Sequence, residues 1–546
     1  MRRSTSGLPA AWAGLLIAWS LIAPAAASGP SKPPAAVVAD PEVALRRGMD
    51  FERLRRWPAA IEAYQGALEQ WPDKAEFRQR LRLCEIHQRV VRRYQDKSFR
   101  DVLLALPADQ TLYLYDEVLE RIGDHYFEPI AVSTMLRRGL DNLDVALRDA
   151  AFLQVNCPTA DPQKVGAVRE DLRRRRQALS AIDREGAHAE IRAACDLARR
   201  GIALASSPVI LEFIYGAAES LDDYSNYLTP DKLDDLFAMI DGNFVGLGVE
   251  LKADEQGLRL VGVIRGGPAA EAGLRVGDKI THVAGQPMQG LGLDDAANRL
   301  QGTEGTPVEV VVAQANGGSR SVKLVRRAVE VQSVAQAKIV DPAAGVGYVQ
   351  LTGFQKSSTD EIRRAIESLN QKGMRHLVLD LRGNPGGLLN VVVDIAEGFL
   401  DRGVIVTTRG RARGQSATYK ANAVAAWRMP MTVLIDHDSA SASEILAGAL
   451  KENGRAHIMG ERSYGKGSVQ SIFPLRTAPA GLKLTTAKFY SPKDAPYSDR
   501  GVIPDEPVEA HVAAKPGADA IATVVEPGDV ATDPVLRAAI RRVGGL

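Results

Sequence analysis

Three patterns of apolar and polar positions follow one another along the chain. From about residue 41 to 227 apolar residues recur at helical spacing, as in the stripe Tyr115, Val118, Leu119, Ile122 and Tyr126. At Gly242 the period falls to two, and short strands are expected at 248–251, 258–264, 308–312 and 321–325, with a helix over 293–301. From about Val346 short apolar runs alternate with amphipathic segments. Strands are expected at 347–351, 377–381 and 432–435, and helices at 359–371 and 391–399. In the first of these helices Ile362, Ala365, Ile366 and Leu369 fall on one side. Alternation of strand and helix predicts a layered α/β core over 329–510, with 511–546 as an appendix of uncertain order.

The first residues read differently. Arg2 and Arg3 precede an apolar run from Ala10 to about Ile22, followed by Pro24 and Ala25-Ala26-Ala27-Ser28. That is the build of a signal peptide over 1–28, with 29–40 as a linker. The expectation is an exported, periplasmic protein, or an inner-membrane-anchored one if the segment is retained. A net charge of +1 offers no field to attract nucleic acid. The run Arg173–Arg176 reads as a solvated helix face. Of the three cysteines, Cys157 and Cys195 are candidates for a disulfide and Cys84 for a free thiol; three buried thiols is the other reading. No metal-ligand spacing or phosphate-binding loop occurs, so neither metal nor cofactor is expected.

Two segments suggest binding modules. Gly48, Phe51, Ala60, Tyr64, Ala67 and Pro72 have the spacing of one tetratricopeptide-type helix pair. One pair cannot bury its own face, so over 41–100 a hairpin packed on the next helix (74–96) is expected, with a protein partner as its candidate ligand. A helical region over 101–240 follows. The segment 241–328 resembles a PDZ domain, on Gly267-Pro268-Ala269-Ala270-Glu271-Ala272-Gly273-Leu274 and Gly277-Asp278-Lys279-Ile280. Its carboxylate-binding turn would be Val245-Gly246-Leu247-Gly248-Val249, where backbone N–H groups converge on a peptide tail that adds to the sheet edge.

The chemistry lies in the third region. Ser439-Ala440-Ser441-Ala442-Ser443-Glu444 ends a strand and opens a helix, and Lys466 stands between Gly465 and Gly467. Upstream, Asp380-Leu381-Arg382-Gly383-Asn384-Pro385-Gly386-Gly387 is a strand running into a glycine turn. Alone, the serine reads as a helix cap, the lysine as a solvated charge and the turn as a connection. Together they are the parts of a Ser–Lys hydrolase, with lysine in the place of histidine as base. The base must be neutral, which burial would achieve. The serine at a helix N-terminus has Ala442 N–H beside it, and Gly386 or Gly387 can supply the second oxyanion donor. Ser439 and Ser443 are rival nucleophiles. His437, flanked by Asp436 and Asp438, is a rival base.

Over roughly 113–509, with an insertion near 150–205, the chain resembles the carboxyl-terminal processing (tail-specific) serine proteases. The resemblance rests on these motifs together with Leu221–Pro230, Leu484–Ala487 and Gly501–Asp505. It implies Ser441 as nucleophile, Lys466 as base and Gln470 as the residue that orients the lysine. The chain departs from the family at Asp436-His437-Asp438 and at Ser491–Tyr497. The expected protein has an α-helical N-terminal region, a β-rich PDZ domain and an α/β Ser–Lys protease domain. It would be an endopeptidase acting on protein or peptide substrates with accessible C-termini. An inactive PDZ and helical-repeat binding protein is the alternative.

Overall fold

The computed structural model describes residues 40–254, 257–264, 266–289, 299–300, 302–314, 317–422, 425–509 and 527–544, and the backbone of 15–19. Most of the expected signal peptide and linker, and nearly all of the expected helix 293–301, lie outside the described residues.

The N-terminal helices Pro41–Arg53 and Trp57–Gln70 form the expected hairpin. Gly48 is where they close: a Cβ there would run into the ring of the fully buried Tyr64. The long helix Ala75–Gln95 covers the hairpin with Phe77 and Cys84. Its other end, with Ile86, Val90 and Tyr94, enters the core of the helical region. One helix thus couples two apolar clusters. All three cysteines are buried free thiols, so no Cys157–Cys195 bridge forms.

The protease region is built on two sheets. One runs Val334–Asp341, Val346–Leu351, His376–Asp380, Met431–Ile435, His457–Gly460, Glu506–Pro507. All its neighbours after the first pair are parallel. Its central strands His376–Asp380 and Met431–Ile435 are buried throughout, as covered parallel strands must be. Helices Ser358–Gln371, Leu389–Phe399 and Ala442–Glu452 contribute their apolar faces to the main core. The second sheet joins Gly386–Leu388, Leu15–Trp19, Ser468–Pro474, Gly481–Tyr490, Gly403–Gly410 and Ala417–Ala421.

Two boundaries differ from expectation. Strand Asn226–Leu228 pairs with Gly481–Tyr490, and Leu233, Leu236 and Ile240 of the next helix enter the protease core. Residues 226–240 therefore belong with the protease, not the helical region. The appendix also joins it: Val535, Leu536 and Ala539 of helix Pro534–Gly544 pack on Val346, Tyr348, Val378 and Leu434. Apolar pattern cannot reveal either, because both depend on partners a hundred or more residues away.

The second expected module is a sheet ordered Val249–Asp254, Gly257–Val263, Lys279–Val283, Pro307–Ala313, Ser319–Val325 around its own small core. It is reached through a ribbon of two antiparallel strands, Asn243–Gly246 and Arg327–Glu330.

Candidate active site

The two central parallel strands end side by side, and their C-terminal loops build the site. After Met431–Ile435 the chain turns at Asp436, whose Oδ1 accepts Ser439 N–H at 3.0 Å and Gly383 N–H at 3.0 Å. One carboxylate thereby joins the serine loop to the glycine turn. Asn384 joins them again: its carbonyl accepts Ala440 N–H at 3.0 Å and Ser443 Oγ–H at 2.8 Å. Ser443 is committed there, and Ser439 Oγ donates to Leu381 O at 2.8 Å. Ser441 stands between them at φ 60°, ψ −112°, backbone that a non-glycine residue holds only when its surroundings force it.

Glu444 does the forcing. Its Oε2 accepts Ser441 N–H at 2.7 Å, the half of the capping box that runs from the helix back to the serine. The same oxygen accepts Lys466 N–H at 2.9 Å. Its Oε1 accepts Ser463 Oγ–H at 2.6 Å and Gly465 N–H at 2.7 Å. Two residues 25 apart in sequence therefore have backbone nitrogens on one oxygen atom. The capping-box spacing was visible in the sequence; the second task of its carboxylate was not.

Lys466 is 1% exposed. Burial, and next the cation of Lys483, push its pKa well below the ordinary lysine value, against the pull of Glu444 and Asp222. Lys483, also buried, is pushed down to about 8, mainly by desolvation. Lys466 Nζ lies 4.9 Å from the ring centroid of Tyr224. Both residues were missed as site members. The signal for Lys483 was a lysine inside the strand Leu482-Lys483-Leu484-Thr485-Thr486; Tyr224 lay in a motif whose role was open.

Gln470 does not hold the lysine amine here. Its Nε2 donates to Ser468 Oγ at 3.0 Å and to Thr485 Oγ1 at 3.2 Å, and its buried Oε1 has no hydrogen-bond partner among the described residues. The rival base His437 is 60% exposed and faces Asp438 at 3.4 Å and Glu461 at 3.5 Å, in a surface turn. Of the oxyanion candidates, Gly386 N–H donates to Asn384 Oδ1 at 2.9 Å, so Gly387 and Ala442 remain. Gly387 sits where a Cβ would run into Phe354 O. Ala442 is the first residue of the helix Ala442–Glu452, where N–H groups lack helical acceptors.

Between the glycine turn and the lysine strand lies a slot one strand wide. The backbone of Leu15–Trp19 fills it, antiparallel to both sides: Ile17 is opposite Leu388 on one and Gln470 on the other.

The profile of Peptidase family S41 matches residues 345–508, and that of the PDZ domain residues 259–314. A carboxy-terminal-processing protease of Bartonella bacilliformis is 36% identical over 302 residues, 54% of this chain and 68% of the relative. A carboxyl-terminal-processing protease of Synechocystis sp. is 36% identical over 296 residues, 53% of this chain and 69% of the relative. This chain belongs to the carboxyl-terminal-processing protease family. The solved structure of a photosystem II D1 C-terminal processing protease covers 78% of this chain and 97% of its own, at 26% identity and a TM-score of 0.41. As a member of the carboxyl-terminal-processing protease family, the protein is a serine peptidase carrying a PDZ domain.

In this carboxyl-terminal-processing protease the expected tail-binding turn is divided. Val245 and Gly246 are paired with Ala328 and Arg327 in the connecting ribbon. Leu247 is buried in the PDZ core, and Val249 opens a strand at the edge of the PDZ sheet. Of the five residues, Val249 alone lies in the sheet's edge strand.

Proposed function

We propose that the protein is an exported Ser–Lys endopeptidase that cuts other proteins in or near their C-terminal regions. The observation that carries this reading is the single Glu444 oxygen bonded to the backbone of both Ser441 and a buried Lys466 whose pKa is driven down. Neutral Lys466 takes the proton of Ser441 as Oγ attacks the scissile carbonyl carbon. The resulting oxyanion rests on the N–H groups of Ala442 and Gly387. Lys466 returns the proton to the departing amine, and water then releases the acyl group from Ser441 by the same route. Gln470 supports the strand on which the lysine enters.

The slot between Gly386–Leu388 and Ser468–Pro474 supports an extended substrate, because it accommodates the backbone of a peptide as an added strand. The PDZ edge strand that begins at Val249 captures the substrate tail, and the ribbon through which it is attached lets it present that tail. The basic, apolar and small-residue order of the N-terminus supports export to a periplasm. The hairpin over 41–70 is read as a tetratricopeptide-like unit that binds a protein partner.

The test is cleavage of an unfolded protein with an apolar C-terminus by wild type, Ser441→Ala and Lys466→Ala. The proposal requires loss of turnover in both variants. Full turnover in Lys466→Ala, with loss in His437→Ala, would reassign the base.

A further inference from the structure

A cleft of about 540 Å³ lies between the helix Ala75–Gln95 and the helix Val132–Ala146, far in sequence from the serine and lysine. Five arginines line it: Arg78 and Arg82 from the first helix, Arg137 and Arg138 from the second, and Arg176 from Pro162–Ala178. Three acids share the lining, Glu85, Asp141 and Glu219. They are already engaged. Asp141 faces both Arg82 and Arg176. Glu219 Oε2 accepts Asn142 Nδ2–H at 3.1 Å and faces Arg89 Nε at 3.6 Å.

Arg138 is the residue this arrangement leaves short. It is 8% exposed, and its Nε and Nη1 make no hydrogen bond among the described residues. Its nearest anion is the shared Glu219 Oε2, at 3.9 Å. Burial lowers its pKa to about 10, outweighing Glu219, and the cations of Arg82 and Arg89 push the same way. Arg93, also buried, lacks hydrogen bonds at its guanidinium nitrogens too, but it has Glu212 close by at 3.2 Å and the ring of Tyr215 at 3.9 Å from its guanidinium carbon. A buried guanidinium without such partners is a standing cost, and an incoming carboxylate is the group that relieves it.

We propose that this cleft is a docking site for an acidic peptide segment of a partner protein, one of whose carboxylates pairs with Arg138. Arg78 and Arg82 are four residues apart on one helix face, so they engage successive acidic positions of the segment. The cleft volume suits a few residues of chain rather than a single ion. Leu81, also in the lining, gives the segment an apolar contact. A net charge of +1 gives no extended basic field for a nucleic acid, so a short acidic segment is the favoured ligand. The proposal stands apart from the Ser–Lys reading, since no residue of that site takes part.

The test uses the full chain carrying Ser441→Ala, with fluorescence anisotropy of a labelled hexaglutamate peptide and, as control, hexaglutamine. Hexaglutamate is expected to bind, more weakly as salt rises, and hexaglutamine not to. Arg138→Leu is expected to weaken binding at least about thirtyfold while leaving the melting temperature unchanged or higher, because it removes an unsatisfied buried charge. A purely structural Arg138 would instead lower the melting temperature. Should Arg138→Leu fail to fold, the exposed pair Arg78→Ser with Arg82→Ser reads the same site. Equal binding of hexaglutamine, undiminished binding in both variants, or displacement by a DNA oligomer at the same charge concentration overturns the proposal.

Discussion

Asp533→Ala should disconnect the C-terminal helix from the catalytic loops. Asp533 is fully buried and its carboxylate accepts five hydrogen bonds. Its Oδ1 accepts Arg382 Nη1 at 3.0 Å, Val535 N at 3.1 Å and Leu536 N at 3.0 Å. Its Oδ2 accepts Arg382 Nη2 at 2.6 Å and Gly528 N at 3.2 Å. Arg382 in turn begins the turn that holds Asn384, Gly386 and Gly387, and Asp380 binds its other edge at 2.6–3.1 Å. Removing one partner of a buried ion pair costs about 3–5 kcal/mol; Asp380 still neutralises Arg382, so the lower end applies. Loss of the cap on the helix adds about 1 kcal/mol. Together, about 4 kcal/mol raises local opening of 527–544 roughly a thousandfold. The assay is hydrogen exchange of that segment and of 381–388, beside kcat on an unfolded protein. Faster exchange in both segments and a fall in kcat are expected. Faster exchange at the helix alone, with 381–388 and kcat unchanged, refutes the idea that the helix supports the turn. The pH dependence has a definite sign. Burial pushes the Asp533 carboxyl up, but Arg382 and the backbone N–H groups outweigh it and hold it below its ordinary value. Its contribution is therefore complete above the unfolded value near pH 4 and is lost as pH falls through the lower folded value.

Three further outcomes follow from the same geometry. Lys483→Met removes a cation that pushes Lys466 down, so the acid limb of the kcat/KM profile should move to higher pH; an unmoved limb would mean the two lysines are not coupled. The same variant should be more stable at pH 7 by up to about 3 kcal/mol, since Lys483 is held near 8 in the fold and near 10.5 outside it. In the parent this penalty eases as pH rises from about 8 to about 10.5, so denaturant midpoints measured across that range should converge with those of the variant. Gly387→Ala places a Cβ against Phe354 O and should abolish turnover while leaving the PDZ domain folded; near-normal kcat would remove Gly387 from the oxyanion site.

Much of this was legible in the sequence because it is local. Continuous apolar runs gave the buried parallel strands, and turns rich in glycine marked where they end. Ser441, Lys466 and the glycine turn were found as motifs, as was the spacing of Ser441 and Glu444. What was not legible depends on pairs distant in sequence. The Arg382–Asp533 contact spans 151 residues, and strand Asn226–Leu228 finds its partner in Gly481–Tyr490. Periodicity carries no information about such pairings, so by pattern alone residues 226–240 read with the helices and 527–544 as an appendix. Gln470 is named by the family resemblance, and its spacing from Lys466 does not reveal that it lies on the strand Ser468–Pro474 with Ser468 and Thr485 taking its amide. Lys483 was passed over because a lysine in a strand ordinarily faces water, and only the assembled fold buries it.

The most direct measurement of the central claim is the site of the acyl-enzyme. A peptide ester is reacted briefly with the protein, quenched in acid and mapped by mass spectrometry. An acyl adduct is expected on Ser441 in wild type, none in Ser441→Ala, and formation slowed by orders of magnitude in Lys466→Ala. An adduct on Ser439 or Ser443, or undiminished acylation without Lys466, would contradict the claim.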